Sequence, residues 1–117
     1  MRNFRKLDVY LRSINFANSI YDITYQWPDM ERYGLTSQIN LATVSIPSNI
    51  SEGSARRTKN DFARFIEISL GSAFEVETQL IISKDRGYIS DNEFSNIIKE
   101  LTINQKQLNT LINSIRK

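Results

Sequence analysis

Glu75 and Glu77 are the nearest thing in this chain to a paired-carboxylate centre. Two carboxylates can divide acid and base roles only if both reach one substrate. The surrounding pattern predicts a helix, on which residues two apart point about 200° from each other, so the pair cannot converge. Glu77 projects between apolar neighbours and, if buried, needs a donor such as an arginine or a backbone amide. Both glutamates are read as structural polar residues. Glu52, beside Gly53, is read the same way, with Arg56 or Arg57 as its partner. The serines Ser48, Ser69 and Ser72 could be nucleophiles only with a base, and the sequence contains no histidine. It contains no cysteine either, which removes disulfides, thiolate metal sites and thiol catalysis. Helical di-metal centres use glutamates with Glu-x-x-His motifs, which this chain cannot supply. No G-x-x-x-x-G-K phosphate loop is present. These exclusions predict a protein without catalytic residues, metal or cofactor.

The remaining chemistry is basic. Arg56, Arg57 and Lys59 cluster before a predicted helix, and Arg64 follows one to two turns later. Such a group can pair with phosphates, arginine through two parallel hydrogen bonds. The plainer reading is a solvated loop that keeps the protein soluble. A second basic group, Arg2, Arg5, Lys6 and Arg12, reads as a frayed, hydrated terminus. The formal net charge is only +2, from 15 basic and 13 acidic side chains. A nucleic-acid function must therefore rest on local clustering rather than on overall charge.

Four helices would have to position these groups. Turn residues near Pro28 and Gly34, at Gly53 and at Gly87 divide the 117 residues, read as one domain over 1–117, into four periodic segments. The first helix is predicted from about Leu7 to Tyr25, with Leu7, Leu11, Ile14, Tyr21 and Tyr25 on its inner face. The second runs from about Thr36 to Glu52, with Ile39, Ala42, Ile46 and Ile50 inward. The third runs from about Lys59 to Arg86 on Phe62, Ile66, Ser69, Ala73, Val76 and Leu80. The fourth starts near Asp91, behind a Ser90/Glu93 capping box, and carries Phe94, Ile98, Leu101, Leu108, Ile112 and Ile115. Short connections make consecutive helices antiparallel neighbours, so the fold class is all-α: an antiparallel up-down-up-down four-helix bundle. Pro47 falls inside the second helix, where it deletes a donor and crowds the carbonyl of Thr43. It predicts a bend or break whose freed groups Ser45, Ser48 and Asn49 could satisfy, or a notch shaped for a ligand.

Two helices are apolar twice over. Val9, Phe16, Ile20 and Ile23 lie roughly opposite the first helix's inner face. Leu70, Phe74 and Ile81 form a second row on the third, about 100° from the first. Either the inner stripe is broad and all of it is interior, or these rows form an interface between copies in a closed ring or dimer. On the second reading Phe16, Ile20 and Phe74 are partly buried between chains. No apolar run reaches the length of a membrane span or a signal core, so a soluble cytoplasmic protein without membrane association is expected.

Several segments carry a resemblance. Tyr33-Gly34-Leu35-Thr36-Ser37-Gln38, Val44-Ser45-Ile46-Pro47-Ser48-Asn49-Ile50-Ser51-Glu52-Gly53, Phe65 and Gly71-Ser72-Ala73-Phe74-Glu75-Val76-Glu77-Thr78 are similar to a known pattern. Phe4-Arg5-Lys6-Leu7 and the Tyr21-Thr24-Trp27-Pro28 stretch fit it too. The chain resembles the four-helix bundle proteins encoded in intervening sequences of bacterial 23S rRNA genes. The resemblance implies a left-handed bundle and assembly as a homopentameric ring or barrel. It gives Pro47-Ser48-Asn49 and Glu52-Gly53 the task of building the second helix's bend and turn. That family is in turn similar to retroelement accessory proteins that bind nucleic acid and a reverse transcriptase through a basic ring surface. The expected function is therefore a non-enzymatic oligomeric accessory protein that binds RNA or DNA. The alternative is a structural adaptor for a protein partner, without nucleic acid.

Overall fold

Residues 2–117 are described by a computed structural model. They form four long helices: α1 (Asp8–Thr24), α2 (Leu35–Ser54), α3 (Lys59–Asp85) and α4 (Asp91–Ile115). Short 3-10 turns at Phe4–Lys6 and Asp29–Glu31 precede α1 and α2. There is no strand among the described residues.

The helix ends are set by local chemistry. Thr58 caps α3 by accepting from the Asp61 amide at 3.1 Å. Ser90 and Glu93 form the expected capping box on α4. These bonds satisfy amides that a first turn leaves without intrahelical partners. α3 ends where Gly87 adopts φ +78°, a conformation that favours glycine. The Tyr88 amide then reaches back to the Ser83 carbonyl and the Gly87 amide to that of Lys84, which closes the helix. At the same end of the molecule, Glu31 accepts from the Leu35 amide at 3.1 Å and from the Tyr88 hydroxyl at 2.9 Å. One carboxylate thus caps α2 and ties together the two connections on that side.

Each helix packs against the two that adjoin it, and α1 also meets α4, while the diagonal pairs stay apart. Neighbours run in opposite directions. Ser45 of α2 meets Ser72 of α3 at 2.9 Å, while further along α2 the Cβ position of Gly53 faces Phe65 and Phe62. Arg116 reaches back to Glu67, Gln105 to Glu77 and Gln107 to Asp8, which orders α4 against α3 and α1.

The inner stripes of α2 and α3 are as the periodicity predicts: Ile39, Ala42, Ile46, Ile50, Phe62, Ile66, Ser69, Ala73, Val76 and Leu80 are all buried. On α4, Leu101, Leu108, Ile112 and Ile115 are buried, but Phe94 and Ile98 are only partly so. Ile97 and Asn104 take the remaining inward places.

α1 is turned over relative to its expected orientation. Val9, Phe16 and Ile20, assigned above to an interface, are core residues of one chain, with Phe16 2% and Ile20 0% exposed. Ile23 packs against the same core from its edge. Leu11, Ile14, Tyr21 and Tyr25, taken as the inner face, are exposed, and Leu7 is half-buried. The inward row is Val9, Ser13, Phe16, Ala17, Ile20 and Thr24. Its two hydroxyls can be buried because they bond their own helix: Ser13 Oγ donates to the Tyr10 carbonyl at 2.7 Å and Thr24 Oγ1 to that of Tyr21 at 3.3 Å. The third helix keeps its second row: Phe74 and Ile81 are about half exposed and Leu70 is half-buried.

α2 continues through Pro47 without a break. The polar side chains nearby bond neighbouring carbonyls: Asn49 Nδ2 donates to Ser45 O at 2.8 Å, and Ser69 Oγ of α3 donates to Ile46 O at 2.8 Å. Asn49 also reaches the Ser45 hydroxyl at 2.9 Å, and Ser48 accepts from Ser51 Oγ. The proline face borders a groove of about 250 Å³ between α1 and α2, lined in part by Ile14, Tyr21, Val44 and Ser48.

Candidate nucleic-acid interface

The antiparallel fold gathers at one end what the sequence scatters. That end holds the residues before α1, the α2–α3 turn and the end of α4. Arg2 fastens the arm to the turn. Its Nη1 donates to the Arg56 carbonyl at 2.7 Å and to the Ser54 carbonyl at 3.4 Å, and its guanidinium lies 4.5 Å from the centre of the Phe62 ring. The basic group of the arm and the basic group of the turn are therefore one surface. Arg2 is an anchored residue rather than part of a frayed terminus.

Arg56, Arg57, Lys59 and Arg64 are all exposed on this surface. The Arg56 guanidinium lies over the Phe65 ring, 5.0 Å from its centre, and that of Arg5 over the Phe4 ring at 4.6 Å. A cation–π contact of this kind steadies each guanidinium without using its N–H groups, which can then donate to phosphate. Arg12 is committed elsewhere, to Asp8 at 2.9 Å. Glu52 makes no ion pair with Arg56 or Arg57, contrary to expectation; it is exposed, and Arg56 uses the ring instead.

Overall charge concealed this segregation. Cut at mid-height, the half made of residues 2–16, 45–72 and 103–117 holds eleven basic and four acidic side chains. The other half holds four basic and nine acidic. The near-neutral sum is thus the cancellation of two unlike ends. Sequence reasoning missed Arg116 as a member of the basic end; the up-down order of the helices was the signal, since it returns the end of α4 to the start of α3.

A cleft of about 540 Å³ opens on this end between the first turns of α3 and the last of α4. It is lined by Asn60, Asp61, Arg64, Glu67, Ile68 and Arg116. The Arg116 guanidinium holds the Glu67 carboxyl below its ordinary value, and Glu67 in turn raises Arg116. Asp8 is lowered by hydrogen bonds from Arg12 and Gln107.

The glutamates do not converge. Glu75 is exposed and accepts from Gln79 at 3.3 Å. Glu77 is half-buried and accepts from Gln105 Nε2 at 2.8 Å, a glutamine of α4 where an arginine or amide was expected. No group of three or more His, Cys, Asp or Glu that could hold a metal occurs among the described residues. No described helix is long and apolar enough to cross a membrane.

The comparisons agree with this architecture. No curated protein matches the chain. A crystal structure from Bacteroides thetaiotaomicron, described as a protein of unknown function from the S23 ribosomal protein family, is similar at 26% identity with a TM-score of 0.83. The match covers 89% of this chain and 97% of that one. Neither this relative nor the matching family model names an enzymatic activity. The family model, that of the 23S rRNA-intervening sequence protein, matches residues 5–110. The chain belongs to the 23S rRNA-intervening sequence protein family.

Proposed function

We propose that this protein is a non-enzymatic, cytoplasmic accessory protein that self-associates, as a pentameric ring, and binds RNA or DNA through its basic end. The observation that carries this reading is the Arg2–Arg56 contact, which fuses two basic groups distant in sequence into one surface. Arg56, Arg57, Lys59 and Arg64 supply the nucleic-acid contacts, and repetition around an assembly multiplies sites that are individually weak. Self-association is supported by apolar rows left exposed on two helices: Leu11, Ile14 and Tyr21 on α1, and Phe74 and Ile81 on α3. Large apolar side chains exposed in rows of this kind suit an interaction site.

Salt titration tests the reading. Affinity for RNA or DNA falls steeply as salt rises, because bound phosphates release counterions. Replacing Arg56 and Arg57 together by Ala lowers the slope of log affinity against log salt by roughly two, the equivalent of two lost phosphate contacts. Absence of binding at low salt would remove the nucleic-acid reading. An adaptor for a protein partner would then take its place, favoured by the apolar groove beside Pro47.

A further inference from the structure

The cleft at the basic end is chemically odd for a surface that only holds phosphates, because it presents a carboxylate. Of its polar side chains, Glu67 and Arg116 satisfy each other through two contacts, at 3.0 and 2.9 Å. The side chains of Asn60, Asp61 and Arg64 make no hydrogen bond or ion pair among the described residues. Asp61 and Arg64 are three apart on α3, so their side chains leave the helix on one face with Cβ atoms about 5–6 Å apart. They do not pair with each other, although ion pairs at that spacing are common. Ile68, 50% exposed, continues the same face one turn on and adds an apolar side chain to the lining. The cleft volume lies within the range of small-ligand pockets.

An ionised carboxylate is an acceptor with two oxygens, and a guanidinium is a fork of donors. A flat ligand that fills both must offer two adjacent N–H groups on one edge and two adjacent acceptors on the next. Among the four common bases only guanine does so, with N1–H and N2–H₂ on its pairing edge and O6 and N7 beside them. Its pairing edge is free only when the base is unpaired.

We infer that the cleft takes an unpaired guanine, its N1–H and N2–H₂ donating to Asp61, its O6 and N7 accepting from Arg64, and its ring resting on Ile68. The inference deepens the proposed function and rests on it: the basic end holds the phosphate chain, and the cleft selects the base. Asp61 is repulsive toward phosphate, so it weakens indiscriminate binding while it rewards the right base.

Fluorescence anisotropy on the intact protein tests this, using labelled twelve-nucleotide single strands that differ at one central position. The strand with guanine binds roughly 5- to 150-fold tighter than the same strand with adenine, the discrimination of one good bidentate contact. Inosine, which lacks the N2 amino group, and 7-deazaguanine, which lacks N7, each lose part of that preference. A fully paired duplex of the same sequence shows none. Asp61→Asn abolishes the preference for guanine over inosine and leaves the salt slope intact, with the helical circular dichroism unchanged. Arg64→Met, which removes the donors, abolishes the preference for guanine over 7-deazaguanine. Equal affinity for all central bases, or an Asp61→Asn protein that discriminates as the parent does, overturns the inference while the phosphate-binding end stands. Failure of every strand to bind at low salt overturns both.

Discussion

Arg116 grips Glu67 through two parallel contacts, Nη2 to Oε1 at 3.0 Å and Nη1 to Oε2 at 2.9 Å, and so ties the last turn of α4 to the opening turns of α3. The pair is half-exposed, which makes it modest in strength, but its geometry is the favourable bidentate one.

That pair sets a direction for acid sensitivity. Hydrogen bonding by Arg116 depresses the Glu67 carboxyl below its ordinary 4.5 in the folded state. A carboxyl lowered on folding contributes stability that is fully present above 4.5 and lost as pH falls through its folded value. Glu67→Gln should therefore unfold at slightly lower urea than the parent at pH 7, and the gap should close in the acid range below pH 4.5. Urea midpoints at the two pH values check it, and a gap that persists in acid would contradict the assignment.

α2 and α3 approach each other closely at Gly53. A Cβ added there would stand 2.7 Å from Phe65 Cβ and 3.1 Å from Phe62 Cδ1. The first of these atoms is held by the backbone and cannot swing away, so Gly53→Ala must push the helices apart. The expected loss is about 1–3 kcal/mol, the usual range for an overfilled core, read by urea denaturation. An unchanged midpoint would mean that the seam is looser than the distances say.

Phe16 and Phe74 separate core from interface. Phe16 is 2% exposed and Phe74 52%. Phe16→Ala should lose about 3–5 kcal/mol of stability, as buried aromatic truncations do. Phe74→Ser should leave the unfolding of a single chain nearly unchanged and instead reduce the mass measured by light scattering. A parent that scatters as a monomer at every concentration would refute the interface.

How α1 misled shows where sequence stops. Period and spacing give the angles between apolar residues on a helix but not which of two rows turns inward. On α1 the exposed row, Leu11-Ile14-Tyr21-Tyr25, repeats at helical spacing just as a core row does. The true row contains the polar Ser13 and Thr24. They bury because their hydroxyls bond carbonyls three residues back. Small Ser13 and Ala17 on one side were the available signal. α2 and α3 were legible because their inward residues outweigh any rival row. The Ser90 cap was legible because it is local. The basic end was half legible. Arg56, Arg57 and Lys59 stand together in the sequence, whereas Arg2 and Arg116 join them only once the helices are folded against each other. Asp61 beside Arg64 was not legible, because one acid among arginines looks like ordinary surface until the space beside it is seen.

The separation of charge along the 43 Å length of the molecule makes each copy a rod with a sign at either tip. Rods standing shoulder to shoulder with the same tip upward press like signs together, and dissolved ions relieve that pressure. For the assembly and the binding proposed above, ionic strength would pull in opposite directions, loosening the grip on a polyanion while letting neighbours settle closer. A cell's salt would act on this protein as a balance between gathering and holding.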